Sequence, residues 1–161
     1  MNAAHDSAVT QSREHAWKYF ELHANQRIAV FNFFLVFSGA LAAGIAATLQ
    51  GSQRFALLGV GLGLTLGLVA FLFWKLDQRV SFLIKRAERA LSDAEGAFPD
   101  PTLRLVQHEP SSTAEASKGL GPVHRLWTYG EVFRLMFAAM AVSGVVGTVL
   151  CWLRFTGHLD W

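Results

Sequence analysis

The sequence predicts an all-α integral membrane protein with three transmembrane helices, the first two extended into the cytoplasm as a helical stalk. Of its 161 residues 52% are hydrophobic and 16% charged, and its mean hydropathy is positive. The apolar residues collect in three uncharged runs, at 28–49, 55–74 and 135–153. A hydrocarbon core of about 30 Å needs about 20 helical residues, and a helix satisfies its own backbone groups in lipid. Three such runs leave too little polar sequence to cover a soluble bundle.

The first region, residues 1–54, is predicted to hold a cytoplasmic N-terminal helix, the first span and a short outer loop. From Ser12 to the middle of the first run there is no Gly or Pro, so one helix continues from the cytoplasm into the membrane. A cleaved signal peptide is the competing interpretation. The run is longer than a typical signal-peptide core, and Asp6, Glu14 and Glu21 precede it, so we favour a retained span.

The second region, residues 55–95, combines the second span with a cytoplasmic helix. Beyond Trp74 apolar residues recur at helical spacing, at Leu76, Val80, Leu83, Ile84, Ala87 and Leu91. The cytoplasmic part of helix 1 offers a matching stripe of Trp17, Phe20, Ala24 and Ile28, so we expect these two helices to pair. The alternative is that the basic helix bends to lie on anionic lipid headgroups.

The remaining chain divides into a linker and the third span. Residues 96–121 contain Pro99, Pro101 and Pro110 together with a small polar run, which predicts a cytoplasmic linker. A short extended piece at 102–107 is weakly indicated. In residues 122–161, the Gly121-Pro122 pair predicts a helix start, and residues 123–134 lead into the third span at 135–153 and an outer tail.

Orientation follows from the lysines and arginines, because cationic flanks resist translocation. Of the 14 Lys and Arg residues, only Arg54 and Arg154 fall on the side of the first loop and the last tail. We therefore expect a multi-pass protein of the bacterial inner membrane, with its N-terminus cytoplasmic and its C-terminus periplasmic.

Small residues at helical spacing give each span a face for close packing, and the spacing is clearest in the second span. These faces either hold the three helices of one chain together or leave one face for a homo-oligomer. Asn32 is the one amide inside a span, where it can bond a neighbouring helix or line a narrow pore. The predicted packing and oligomer residues are Gly59, Gly63 and Gly67, with Gly61 alongside; Gly39, Ala43 and Ala47; and Ala139, Ser143 and Gly147.

Polar side chains concentrate where the chain meets the bilayer. They can contact lipid headgroups, a cytoplasmic partner or the tail of the same chain. The residues are His23, Asn25, Gln26 and Arg27 before the first span, and Arg79, Lys85 and Arg86 after the second.

Several functions are disfavoured by the residue pattern. No span contains an ionisable residue, which argues against an ion-coupled transporter. No nucleophile, base and carboxylate share a catalytic spacing, so we do not expect an enzyme. Cys151 is the single cysteine, and the histidines form no ligand motif, so we predict neither metal nor cofactor. The cations between spans two and three are nearly balanced by acids, so direct nucleic-acid binding is not predicted.

The segment at residues 19–34 (YFELHANQRIAVFNFF), followed by Ser38-Gly39, resembles the opening of small membrane proteins from bacterial anti-phage operons. It resembles the transmembrane effectors that accompany retron reverse transcriptases and, more loosely, the small multi-span effectors of cyclic-oligonucleotide defence systems. The resemblance covers residues 1–40 and the general layout. It implies an abortive-infection toxin, held inactive by cytoplasmic partners such as a reverse transcriptase–nucleic acid complex until infection.

Two hypotheses follow. The first is an inner-membrane effector that is released by its partners and disrupts membrane integrity by self-association. The second is a non-toxic membrane anchor or assembly subunit that recruits a soluble partner. A small channel is less favoured, because its polar pathway would be limited to Asn32, Thr48, Thr65 and Thr148.

Overall fold

The computed structural model describes residues 3–98, 100–121 and 124–159. Within these ranges the chain is helical and contains no strand. Three helices, α1, α2 and α4, are each long and apolar enough to cross a membrane. The predicted fold class is confirmed. The elements are α1 (Ala3–Gln50), α2 (Gln53–Glu95), a 3-10 turn (Pro101–Leu103), α3 (Leu105–Ala116) and α4 (Tyr129–Phe155).

The chain forms two compact units. We call Ile28–Gln78 with Tyr129–Trp161 the span unit, since it holds the three apolar runs. We call Met1–Arg27 with Arg79–Thr128 the polar unit. Helices α1 and α2 each contribute residues to both units. This agrees with the prediction that α1 begins well before its apolar run and α2 continues well beyond its own.

In the polar unit, α1 begins at Ala3, before the Ser12 expected from the sequence. The predicted apolar stripe of α2 is largely buried there, at Val80, Ile84, Ala87 and Leu91. Of the matching stripe on α1, Phe20 and Ala24 are half-buried, whereas Trp17 remains 52% exposed. The two stripes therefore contribute unequally to the interior of this unit.

The segment predicted as a linker contains, in its central part, the 3-10 turn and α3. The extended piece expected at 102–107 is absent; those residues belong to the turn and to the start of α3. The Asp100 side chain caps the turn by accepting from the Thr102 backbone N–H at 2.9 Å. Pro110, which indicated a linker, lies inside α3.

The helix expected over residues 123–134 also begins later. Residues 124–128 are not helical, and α4 begins at Tyr129. Pro122 and Val123, at the predicted helix start, lie outside the described residues, as does Pro99.

The span unit has two apolar clusters. One contains Phe34, Ala70, Phe133 and Phe137, so all three spanning helices contribute to it. Phe31 adds a stacked contact with Phe133, their ring centroids 3.9 Å apart. The other cluster contains Ile45, Leu66 and Cys151, again one residue from each helix. Because lipid supplies no hydrophobic drive between helices, such close packing is what holds them together.

Candidate functional site

In the span unit α2 and α4 approach each other closely at the predicted Gly63. A Cβ atom placed on Gly63 would lie 2.8 Å from the Gly144 carbonyl oxygen and 2.8 Å from the Thr148 nitrogen. A Cβ on Gly144 would lie 2.8 Å from the Gly63 carbonyl oxygen. At Gly59 a Cβ would collide with the side chains of Thr48 and Cys151. The backbones meet here with no space for a methyl group.

This contact changes the interpretation of the glycine face. Gly59 and Gly63 are buried and packed against helices of the same chain, so in this fold a neighbouring chain cannot reach them. Gly67 is half-buried, and the Cβ of a residue at 144 would approach its backbone nitrogen to 2.8 Å. Two of the three predicted glycines of α2, Gly59 and Gly63, are therefore occupied within the chain, whereas a Cβ on Gly67 would meet nothing within 4 Å.

Of the residues predicted to pack on α4, Gly147 contacts α1, whereas Ala139 and Ser143 do not lie at a helix contact. Ser143 and Ala139 are exposed, and the Ser143 hydroxyl donates to the Ala139 carbonyl at 2.9 Å within its own helix. Gly147 is buried, and a Cβ there would lie 2.9 Å from Ile45 Cγ2 on α1. Gly144 was not among the predicted packing residues. A signal for it was present, because Gly144, Thr148 and Cys151 are spaced four and three residues apart and so share one face of the helix.

The predicted face of α1 is left uncovered. Gly39, Ala43 and Ala47 are exposed, and a Cβ on Gly39 would meet nothing within 4 Å. Asn32 is exposed as well, and its amide has no hydrogen-bond partner among the residues described. The contacts within the span unit thus account for Gly59 and Gly63 of α2 and leave the predicted small residues of α1 unexplained.

The loop between α1 and α2 is held by polar groups from α4. The Arg154 guanidinium donates to the carbonyl oxygens of Leu49 and Gly51, the latter at 2.7 Å, and so caps the C-terminus of α1. A second bond joins the same region, since the side-chain amide of Gln53, the first residue of α2, donates to the Phe155 carbonyl at 3.0 Å. Sequence analysis treated Arg154 only as an outer cation, because nothing local to it indicates partners so distant in the chain.

The polar residues predicted to meet lipid or a partner are not gathered into one cluster. His23 Nδ1 lies 3.3 Å from the Gln26 side-chain oxygen, a contact within one helical turn. Arg27 is half-buried. The others, Asn25, Gln26, Arg79, Lys85 and Arg86, are exposed.

The polar unit contains a cavity of about 520 Å³, the size of a small-ligand or peptide site. Trp17, Leu91, Phe98 and Val106 provide its apolar walls, and Thr10, Arg13, Glu14 and Glu95 its polar groups. The Arg13 guanidinium lies 5.4 Å from the centre of the Phe98 ring, a cation–π distance. Sequence analysis did not identify this cavity, because Phe98 and Val106 come from the segment interpreted as a linker.

Two acidic residues of α2 shape the polar unit. The Glu95 carboxylate accepts hydrogen bonds from the backbone N–H groups of Val106 at 3.2 Å and Gln107 at 2.9 Å. It therefore caps the N-terminus of α3, where a negative charge is favoured. Burial raises the pKa of Glu88, and the nearby Glu109 raises it further, while Lys85 and Arg27 oppose the change.

The three spanning helices pack against one another, α2 and α4 by backbone contact, and the same chain also forms the polar unit. These features define a small three-span helical membrane protein. Within that class the chain has a curated relative in Escherichia coli, "CD-NTase-associated protein 19", with which it shares 44% identity over 137 residues. The alignment covers 85% of this chain and 88% of that protein. The chain belongs to the family of the CD-NTase-associated protein 19.

Two other comparisons gave no match. No protein-family model matches the chain, and no solved structure matches it. The name of the relative associates that protein with a CD-NTase, and nothing in the match concerns a retron reverse transcriptase.

Proposed function

We propose that this protein is an inner-membrane effector of a CD-NTase anti-phage defence system, which disrupts membrane integrity when infection releases it from cytoplasmic control. The observation that carries the proposal is the near full-length relationship to CD-NTase-associated protein 19. Its function in the infected cell would be abortive: the membrane fails before phage progeny are complete.

The span unit supports an action on the bilayer rather than transport or chemistry. Its three apolar runs contain no ionisable side chain, whereas coupled transporters and proton relays need charges at membrane depth. Its helices are instead specialised for close packing, as the Gly63–Gly144 contact illustrates. Small residues that let helices pack closely can also join helices of separate chains, so we propose self-association in the membrane as the damaging step.

The polar unit is the part we propose to receive cytoplasmic control. Its cavity combines exposed aromatic surface on Trp17 with the Arg13 guanidinium, which suits recognition of a partner. A reverse transcriptase–nucleic acid complex was one expectation for that partner; the family relationship favours a CD-NTase system instead. The same cavity also favours the alternative function, a non-toxic anchor that recruits a soluble protein to the membrane.

Membrane potential during infection tests the proposal. Cells would carry this chain together with a CD-NTase defence system, and a matched strain would carry the same system with the CD-NTase inactivated at its catalytic residues. We expect depolarisation and dye entry before phage release in the first strain and neither in the second. Intact potential throughout, at equal membrane levels of the protein, would exclude the effector and leave the anchor.

A further inference from the structure

An exposed face of α1 carries an amide whose side chain has no partner among the described residues. Asn32 lies one turn inside the first apolar run, and its side chain is exposed and makes no hydrogen bond to any described residue. An amide in hydrocarbon is stabilised when it finds a hydrogen-bonding partner, and in membranes that partner is usually another helix. Within the described span unit no helix supplies one.

The residues that share this face of α1 follow a seven-residue repeat. The successive steps of four and three residues from Asn32 lead to Val36, Gly39, Ala43, Ala46 and Gln50, and every one is exposed. Steps of this kind form the seam of a left-handed helix pair. We call these six residues the α1 seam. Its middle residues, Gly39, Ala43 and Ala46, are small, and each of its ends carries an amide.

Other outward surfaces of the span unit lack these properties. Most exposed residues of α2 and α4 are large and apolar, among them Leu64, Leu68, Val145 and Trp152. Such residues suit contact with lipid tails. The exposed hydroxyls of Thr65 and Ser143 donate to carbonyl oxygens of their own helices, so neither is left without a partner. Ala46 of the seam additionally borders an apolar groove of about 320 Å³ between α1 and α4, so the surface is recessed there.

Two copies of one chain inserted in the same orientation present the same residue at the same depth. A seam joining them therefore needs polar groups that can pair with themselves. An amide both donates and accepts, so Asn32 can bond Asn32 and Gln50 can bond Gln50 of a second copy. A lysine or a carboxylate at these positions would instead repel its counterpart.

We infer that the α1 seam, Asn32, Val36, Gly39, Ala43, Ala46 and Gln50, binds the same seam of a second copy in the membrane. This inference rests on the proposed function, since it names the surface of the self-association invoked there. It assigns that role to α1 in place of Gly59 and Gly63 of α2, which pack against other helices of the same chain.

Cysteine cross-linking in native membranes tests the seam. Cysteines are introduced singly at Ala43, in the seam, and at Leu64 and Val145, which are exposed on the other two helices. The native Cys151 is fully buried. We expect oxidation to cross-link the Ala43→Cys protein into dimers, with little product from the other two. Adding Asn32→Val to Ala43→Cys should weaken dimerisation by about three- to tenfold.

Each other outcome has a definite meaning. Cross-linking through Leu64→Cys or Val145→Cys but not Ala43→Cys would place the interface elsewhere and overturn the inference. Absence of dimers from all three proteins, with normal membrane levels, would show that the chain is monomeric and would also overturn it. Seam-specific dimers in cells that never depolarise during infection would uphold the interface while refuting the effector function.

Discussion

At the scale of single residues, glycine in the span unit acts through the volume it leaves empty. Gly61 and Gly63 occupy the same helix two residues apart, yet a methyl group on Gly61 would meet nothing within 4 Å, whereas one on Gly63 would meet the α4 backbone. Backbone atoms cannot rotate aside as a side chain can, so the penalty at Gly63 must be met by separating the helices.

We therefore expect Gly63→Ala to destabilise the protein by about 1–3 kcal/mol, the usual range for overpacking. Gly61→Ala is the matched control and should leave stability unchanged or slightly raised, since alanine has the better helix propensity. Thermal unfolding of both variants in detergent, followed by the helical circular dichroism signal, measures the difference. Equal midpoints for the two variants would contradict the α2–α4 contact.

Glu88 illustrates a residue whose environment disfavours its charge. Burial and Glu109 raise its pKa above the ordinary 4.5, so the folded chain holds this proton more tightly than the unfolded chain. Stability from this group is accordingly greatest at low pH and falls as pH rises through the folded pKa.

We expect Glu88→Gln to raise the Tm at pH 7 by about 1–3 °C and to reduce the loss of stability between pH 4.5 and pH 7. Glu115→Gln, which alters an exposed acid of α3, serves as the control and should do neither. Melting curves collected across this pH range provide the test. A lower Tm for Glu88→Gln at pH 7 would mean that the attraction of Lys85 and Arg27 for the carboxylate is larger than the cost of burying its charge.

At the scale of elements, α3 exists because its start is satisfied from elsewhere in the chain. The first N–H groups of a helix have no partners within it, and here Glu95 of α2 accepts from two of them. This explains why the sequence predicted a linker: Pro110 and the surrounding small polar residues are a local signal, whereas the cap comes from beyond the segment.

Removing that cap should release α3 in particular. We expect Glu95→Ala to cost about 1–2 kcal/mol locally, the range for loss of a helix cap, and to speed amide exchange at Val106 and Gln107. Asp93→Ala changes an exposed acid two residues away and is the control. Hydrogen exchange read by mass spectrometry on peptides spanning 104–116 distinguishes the two. Unchanged protection in Glu95→Ala would show that α3 does not depend on this cap.

At the scale of the whole molecule, the sequence was informative about which segments are helices and far less so about their contacts. The three spans follow from length and composition alone, which is why their number was predicted correctly. Which glycine meets which helix depends on the rotation of one span against another. Gly63 was recognised as a packing residue, but its partner Gly144 was not, and the cap from Arg154 to Leu49 joins residues too far apart for any local pattern to show.

The orientation in the membrane is a property of the entire chain and stays a prediction. Of 14 Lys and Arg residues only Arg54 and Arg154 lie on the predicted outer side, and Arg154 is further engaged with the carbonyl groups that end α1. The bias toward a cytoplasmic N-terminus and a periplasmic C-terminus is therefore strong.

Labelling with a membrane-impermeant maleimide tests this orientation. In intact spheroplasts we expect His158→Cys to react at once and Ser112→Cys to react only after the membrane is permeabilised, since residue 112 belongs to the side with most of the cations. The unaltered chain is the control, because its single cysteine, Cys151, is buried. The reverse labelling pattern would invert the topology and place the polar unit and its cavity outside the cytoplasm. Control by a cytoplasmic partner would then be impossible, so the proposed function depends directly on this result.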